Sequence, residues 1–202
     1  MAWRSVLAYV VMGFLTAGVA TVVGAQEESK PEYSYIGVAK CKMCHKKEST
    51  GDQFGIWSKG PHAKAYESLA SEESMAKAKE MGLGNPQEEP ECLRCHVTAF
   101  AVWDDLEKQK IGKEEGVSCE GCHGPGSAYK GLKVMKAITA GEVSAESVGL
   151  LVPDEAACKQ CHNPDNPFHK EFVFKDYFEK IAHPIPEGSS SSEDEGEGES
   201  EN

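Results

Sequence analysis

Cys41-Lys42-Met43-Cys44-His45 is the first of four pentapeptides of one pattern; Cys92-Leu93-Arg94-Cys95-His96, Cys119-Glu120-Gly121-Cys122-His123 and Cys158-Lys159-Gln160-Cys161-His162 are the others. Together they use all 8 cysteines of the chain. Cys-x-x-Cys-His is the attachment signature of c-type haem: two thiols bond the porphyrin, and the adjacent histidine reaches the iron from one side. Paired Cys-x-x-Cys sequences also build structural zinc sites, and eight cysteines in an exported chain can form four disulfides. Neither alternative calls for a histidine directly after the second cysteine in every copy. The expected cofactor is therefore four covalently bound haem c. Cys41, Cys44, Cys92, Cys95, Cys119, Cys122, Cys158 and Cys161 would hold it, with His45, His96, His123 and His162 as proximal ligands.

The fold expectation works outward from these motifs. Their spacing is uneven, so they repeat a chemistry and not a structural unit. The sequence between them has few long apolar runs, too little to wrap a separate core round each haem. The expected class is mainly α: short helices and loops around a stacked four-haem core, with little or no β. Such a chain is expected to be largely unfolded without its haems. Ser58-Lys59-Gly60-Pro61-His62 reads as a helix entry, with Ser58 as cap and Pro61 in the first turn. The Ala-, Glu-, Lys- and Met-rich stretch 63–81 continues it to Gly82 and Gly84. Further helices are expected over 103–110, over 127–140, from Pro153 through the fourth motif, and over 172–182. The last carries Phe174, Phe178 and Ile181 on one face. Phe54, Trp57, Phe100, Trp103 and Tyr177 are candidates to pack on porphyrin faces.

Residues 6–23 are apolar after Arg4 and close on Val23-Gly24-Ala25, the pattern of a secretory signal peptide cleaved after Ala25. About 18 apolar residues also just suffice for an uncleaved anchor. Either way the body lies outside the cytoplasm, periplasmic or extracellular, and a membrane is a partner only if the segment is retained. The chain divides into a signal segment 1–25, a haem domain 26–187 and a tail 188–202. The tail holds six acids and no base, and its Ser/Glu/Gly composition predicts disorder. The net charge of −12 speaks against nucleic acid as a partner, because phosphate is repelled. It favours redox partner proteins with a basic docking patch.

The chain has 7 histidines. Four belong to the motifs, which leaves His62, His169 and His183 for four distal positions. His62 stands at a helix start, His183 just past an aromatic helix, and His169 seven residues after His162, close to its own haem but able to reach another. Met135 is the thioether candidate, and Tyr129 either ligates, lines a pocket or packs. One haem must take methionine, another weak ligand, a histidine from a neighbouring chain, or nothing. An iron filled on both sides passes electrons; an open one binds small ligands as well.

At these residues the chain resembles the multihaem cytochromes of the cytochrome c-554 type. The resemblance rests on Gly37-Val38-Ala39-Lys40-Cys41 through His45, on Trp57-Ser58 with Pro61-His62-Ala63-Lys64-Ala65, on Gly116-Val117 with Cys119-Glu120 and Cys122-His123-Gly124-Pro125-Gly126-Ser127, and on Ile181-Ala182-His183-Pro184. It implies a mainly α fold with haems in closely stacked pairs and a role in carrying periplasmic electrons, often in nitrogen, iron or sulfur respiration. It also implies distal ligation by His62 and His183. In the family a third distal histidine often follows the glycine-proline block, and in its namesake one haem is five-coordinate. The matching stretch here, 127–135, has no histidine. The expected function is thus an exported electron carrier in a respiratory chain. Two alternatives stand beside it: an enzyme that binds or reduces nitric oxide, nitrite or hydroxylamine at an open haem, and a self-associating subunit of a conductive haem filament.

Overall fold

In the computed structural model, residues 33–105 and 109–183 are described. The signal segment 1–25, Pro184 and the acidic tail 188–202 lie outside them, so the readings made on those stretches do too. The described residues all belong to one compact unit that begins at Glu32. They form nine α-helices, α1 Val38–His45, α2 Gln53–Lys59, α3 Ala65–Ser68, α4 Glu72–Glu80, α5 Pro90–His96, α6 Cys119–His123, α7 Leu132–Thr139, α8 Glu155–Lys159 and α9 Phe174–Ile181. Short 3-10 turns lie between them, and no strand occurs among the described residues. The mainly α class is as expected. No helix of the described residues is long and apolar enough to cross a membrane.

The apolar core is small. Leu69, Leu93, Val97, Ala99 and Ile111 form it, flanked by Tyr35, Tyr66, Phe100 and Trp103. It sits where α3 meets α5 and the 3-10 turn Thr98–Asp105, and it anchors the second motif. Phe100 and Trp103 therefore pack on protein, 6.4 Å apart.

Polar ties do much of the remaining work. The extended segment before α1 straps across the molecule. Tyr33 Oη donates to Ser147 O at 2.8 Å, and Ser34 and Ser127 bond reciprocally. Tyr35 N donates to Gln109 Oε1, and Ile36 N and Gly37 N donate to the Glu120 carboxylate. Glu120 is 2% exposed and also accepts from Gly126 N at 2.7 Å. A buried carboxylate inside the third motif thus fixes both the strap and the Gly124-Pro125-Gly126 turn. That turn is glycine-rich for a packing reason. A Cβ at Gly126 would stand 2.7 Å from the Ile36 side chain, and one at Gly124 (φ 74°) 2.7 Å from Gly149 O.

Several element boundaries differ from expectation. The helix over 63–81 is broken: a 3-10 turn His62–Lys64 and α3 end at Leu69, which turns into the core, and α4 starts afresh with Ser71 as its cap, accepting from Ser74 N. Ser58 lies inside α2 and caps nothing; its hydroxyl donates to Gly55 O. Of the segment expected over 103–110, residues 106–108 lie outside the described ones; 103–105 close the 3-10 stretch Thr98–Asp105, which kinks at Val102 and starts early because Val97 and Ala99 are drawn into the core. The helix over 127–140 begins only at Leu132, since Tyr129 holds the preceding turn by donating to Gly124 O at 2.6 Å. In the fourth motif, α8 ends at Lys159, and Cys161 and His162 follow it. The last helix runs from Phe174 to Ile181, slightly inside the expected limits.

Candidate haem centres

Each motif places its histidine at or just past a helix end, where the ring is free to turn away from the helix axis. Three of the four rings are then fixed through one nitrogen. His96 Nδ1 lies 2.7 Å from Ala65 O and His123 Nδ1 3.0 Å from Leu151 O. A carbonyl only accepts, so Nδ1 carries the proton and Nε2 keeps its lone pair. His45 Nδ1 lies 3.3 Å from Gln53 Oε1, and the Gln53 amide is oriented by its nitrogen donating to Thr50 O. Metal-ligating histidines are set this way: a partner on one ring nitrogen leaves the other aimed at the metal. The partners were invisible in the sequence. Two are backbone carbonyls 28 and 31 residues from their histidines.

Two spare histidines come to two motif histidines. The rings of His62 and His162 are 6.1 Å apart, and those of His123 and His183 are 5.9 Å apart. Two metal–nitrogen bonds of about 2 Å, plus half the width of each imidazole, span about 6 Å, so the residues of each pair would both be within reach of one metal. Burial, then the facing His162, lowers the pKa of His62; burial, then His123, lowers that of His183; burial, then His169, lowers that of His162. Each is thus biased to the neutral form a metal requires. His183 Nδ1 is also buried with no hydrogen-bond partner among the described residues. His62 owes its place to the chain crossing beside it: Val117 N donates to His62 O at 3.0 Å, and Gly116 (φ 64°) lets that segment approach.

The thiols lie in neighbouring sets. Cys41 donates towards Cys119, which raises the Cys41 pKa and lowers that of Cys119. Cys161 donates towards Cys95, which brings Cys95 down to about 6 and raises Cys161. Cys158 lies near enough to Cys122 to raise its pKa after burial does. All eight thiols are free, and no three His, Cys, Asp or Glu side chains converge as a bare metal ion would need, among the described residues. Paired imidazoles 6 Å apart, free thiols next to the motif histidines in sequence and little apolar core are the features that haem c would complete.

The other candidates are less closely placed. His169 lines a cavity of 710 Å³ together with His96 and His162. Met135 is half-buried in α7 and is not part of that cavity's lining. Tyr129 is 8% exposed and spends its hydroxyl on Gly124 O and His123 O, which is the packing role. Phe54 packs on Trp57 at 5.7 Å, and Lys42 lies over its ring. Tyr177 sits 6.2 Å from the His162 ring. Sequence reasoning missed Phe172 as a site residue; its ring stacks on His162 at 4.9 Å and 15°. Nothing but an aromatic residue shortly after the motif could have signalled it.

Histidines presented in this way, each directly after a Cys-x-x-Cys pair, fit the covalently bound haem c of a c-type cytochrome. The stretch 40–124, which spans the first three motifs, matches the family described as cytochrome c554 and c-prime. The chain is also 32% identical, over 124 residues, to cytochrome c-554 of Nitrosomonas europaea. That match covers 59% of this chain and 50% of the relative, so the chain spans about half the length of the curated protein it matches. No solved structure matches it.

Proposed function

We propose that this chain is an exported tetrahaem cytochrome that carries electrons between redox partner proteins in a respiratory chain. Haem c, when bound, supplies an iron that alternates between ferric and ferrous states. The chain's own residues hold and insulate it: eight thiols for attachment, His45, His96, His123 and His162 on the proximal side, and His62 and His183 opposite His162 and His123. The supporting observation is the adjacency of the motifs. Cys41 meets Cys119, Cys122 neighbours Cys158, and Cys161 meets Cys95, so the four motifs follow one another in space in an order the sequence does not have. Centres attached in that order form a continuous series, which suits carriage better than storage. The net charge of −12 gives the series an acidic exterior on which a basic partner would dock.

Haem quantified per chain on the purified mature protein is the test, with a redox titration alongside. Four haems that take up and release electrons reversibly are expected. Fewer than four would overturn the tetrahaem reading, and sluggish, irreversible reduction would overturn the carrier role.

A further inference from the structure

Four proximal histidines meet three spare ones, and the structure disposes of two. His62 faces His162 and His183 faces His123. His45 and His96 remain, with His169 as the one unassigned histidine. His96 is held by Nδ1 on Ala65 O, so its Nε2 is the free nitrogen, and the ring opens on the 710 Å³ cavity. That volume lies within the ~300–1,000 Å³ typical of sites that enclose a large organic ligand. His169 lines the same cavity, in company with Phe168, Phe172 and Tyr177.

The loop that carries His169 is built. Asn166 Oδ1 accepts from Phe168 N at 2.9 Å, Asn166 O accepts from His169 N at 2.9 Å, and Asn166 Nδ2 reaches Cys161 O at 3.5 Å. Cys161 in turn meets Cys95 of the second motif. His169 is therefore tethered through its own loop to the fourth motif, whose Cys161 lies beside Cys95 of the motif that ends in His96. Lys77 over the Phe168 ring, at 5.8 Å, ties the same loop to α4.

We infer that His169 is the distal ligand of the haem attached at Cys92 and Cys95, opposite His96, so that the haem of His45 is the one left without a histidine partner in this chain. The inference rests on the tetrahaem reading above. It makes the first motif, not the second, the place where an added small ligand binds.

The test uses the full-length holoprotein and its His169→Ala, His169→Met and Lys170→Ala variants. Haem per chain is measured first, then the ferric spin states by low-temperature electron paramagnetic resonance. His169→Ala is expected to add one high-spin haem per chain at an unchanged haem count, and free imidazole to return it to low spin. Lys170→Ala is expected to match the wild type. If His169→Ala impairs haem loading, His169→Met still decides: a low-spin centre with an altered signal and a raised potential is expected. Four haems with no new high-spin centre in His169→Ala, or with the wild-type signal and potential in His169→Met, or a new high-spin centre in Lys170→Ala instead, overturns the assignment. A wild-type count below four overturns the tetrahaem reading itself and the assignment with it.

Discussion

Glu120 shows how much a single side chain inside a haem motif can hold. It accepts from Ile36 N, Gly37 N and Gly126 N and is almost wholly buried. Glu120→Ala strands three buried N–H groups, each costing ~1–3 kcal/mol. Loss of at least about 3 kcal/mol is expected in thermal or denaturant unfolding of the holoprotein, with Glu120→Gln intermediate. Glu115 behaves differently. Burial raises its pKa above 4.5 even though Val38 N and Gly112 N bond to it. With the folded pKa above the unfolded one, its contribution is fully present below about 4.5 and is lost as pH rises through the raised value. Glu115→Gln is therefore expected to flatten the fall in stability just above pH 4.5, measured as melting temperature against pH. The motif histidines were legible in the sequence as a repeated pattern, and His62 and His183 as two of the three spare histidines; which motif histidine each one faces was not. Nor were the acceptors on Ala65 and Leu151, since any residue supplies a backbone carbonyl.

At the scale of elements, the sequence announced helices and misplaced their ends. Stretch 63–81 has helical composition throughout, yet burying Leu69 and capping with Ser71 split it, and tertiary packing overrode propensity. Ser71→Ala is expected to cost ~1 kcal/mol, read as a lowered melting temperature, because the α4 cap is lost. A harsher effect belongs to the crossing segment at Gly116. Its φ of 64° and the His62 O that a Cβ would meet at 2.6 Å leave room for no side chain. Gly116→Ala is expected to displace the turn carrying His62 and to convert one low-spin haem to high spin, with a fall in stability of over ~1 kcal/mol. The same optical and resonance measurements read both. Gly116 opens the block that runs through the third motif to Ser127; its reason for being glycine, the approach of the His62 turn, lies 54 residues away in sequence and has no local sign.

For the molecule as a whole, the sparse apolar core was the most readable property. With Leu69, Leu93, Val97, Ala99 and Ile111 as the core cluster among the described residues, the chain has little to collapse around by itself. Protein produced without haem attachment is expected to give the far-ultraviolet dichroism of a mostly unfolded chain and to be cut rapidly by protease. The order of the motifs in space was not readable, because long-range thiol contacts leave no periodicity behind. Charge also acts at this scale. With −12 on the chain, electron exchange with a basic partner is expected to slow as salt rises from ~10 to ~150 mM, while exchange with an acidic one quickens.

The strap before α1 has a consequence for how such a protein is made. Its partners all lie far downstream: Gln109, Glu120, Ser127 and Ser147, the last 114 residues beyond Tyr33. A chain delivered N-terminus first cannot seat the strap until Ser147 has arrived, and long loop closures of this kind form late. The first Cys-x-x-Cys-His motif to emerge is therefore among the last to have the segment before it pinned, and Cys41 and Cys44 stay on a loose end of the chain through most of its delivery.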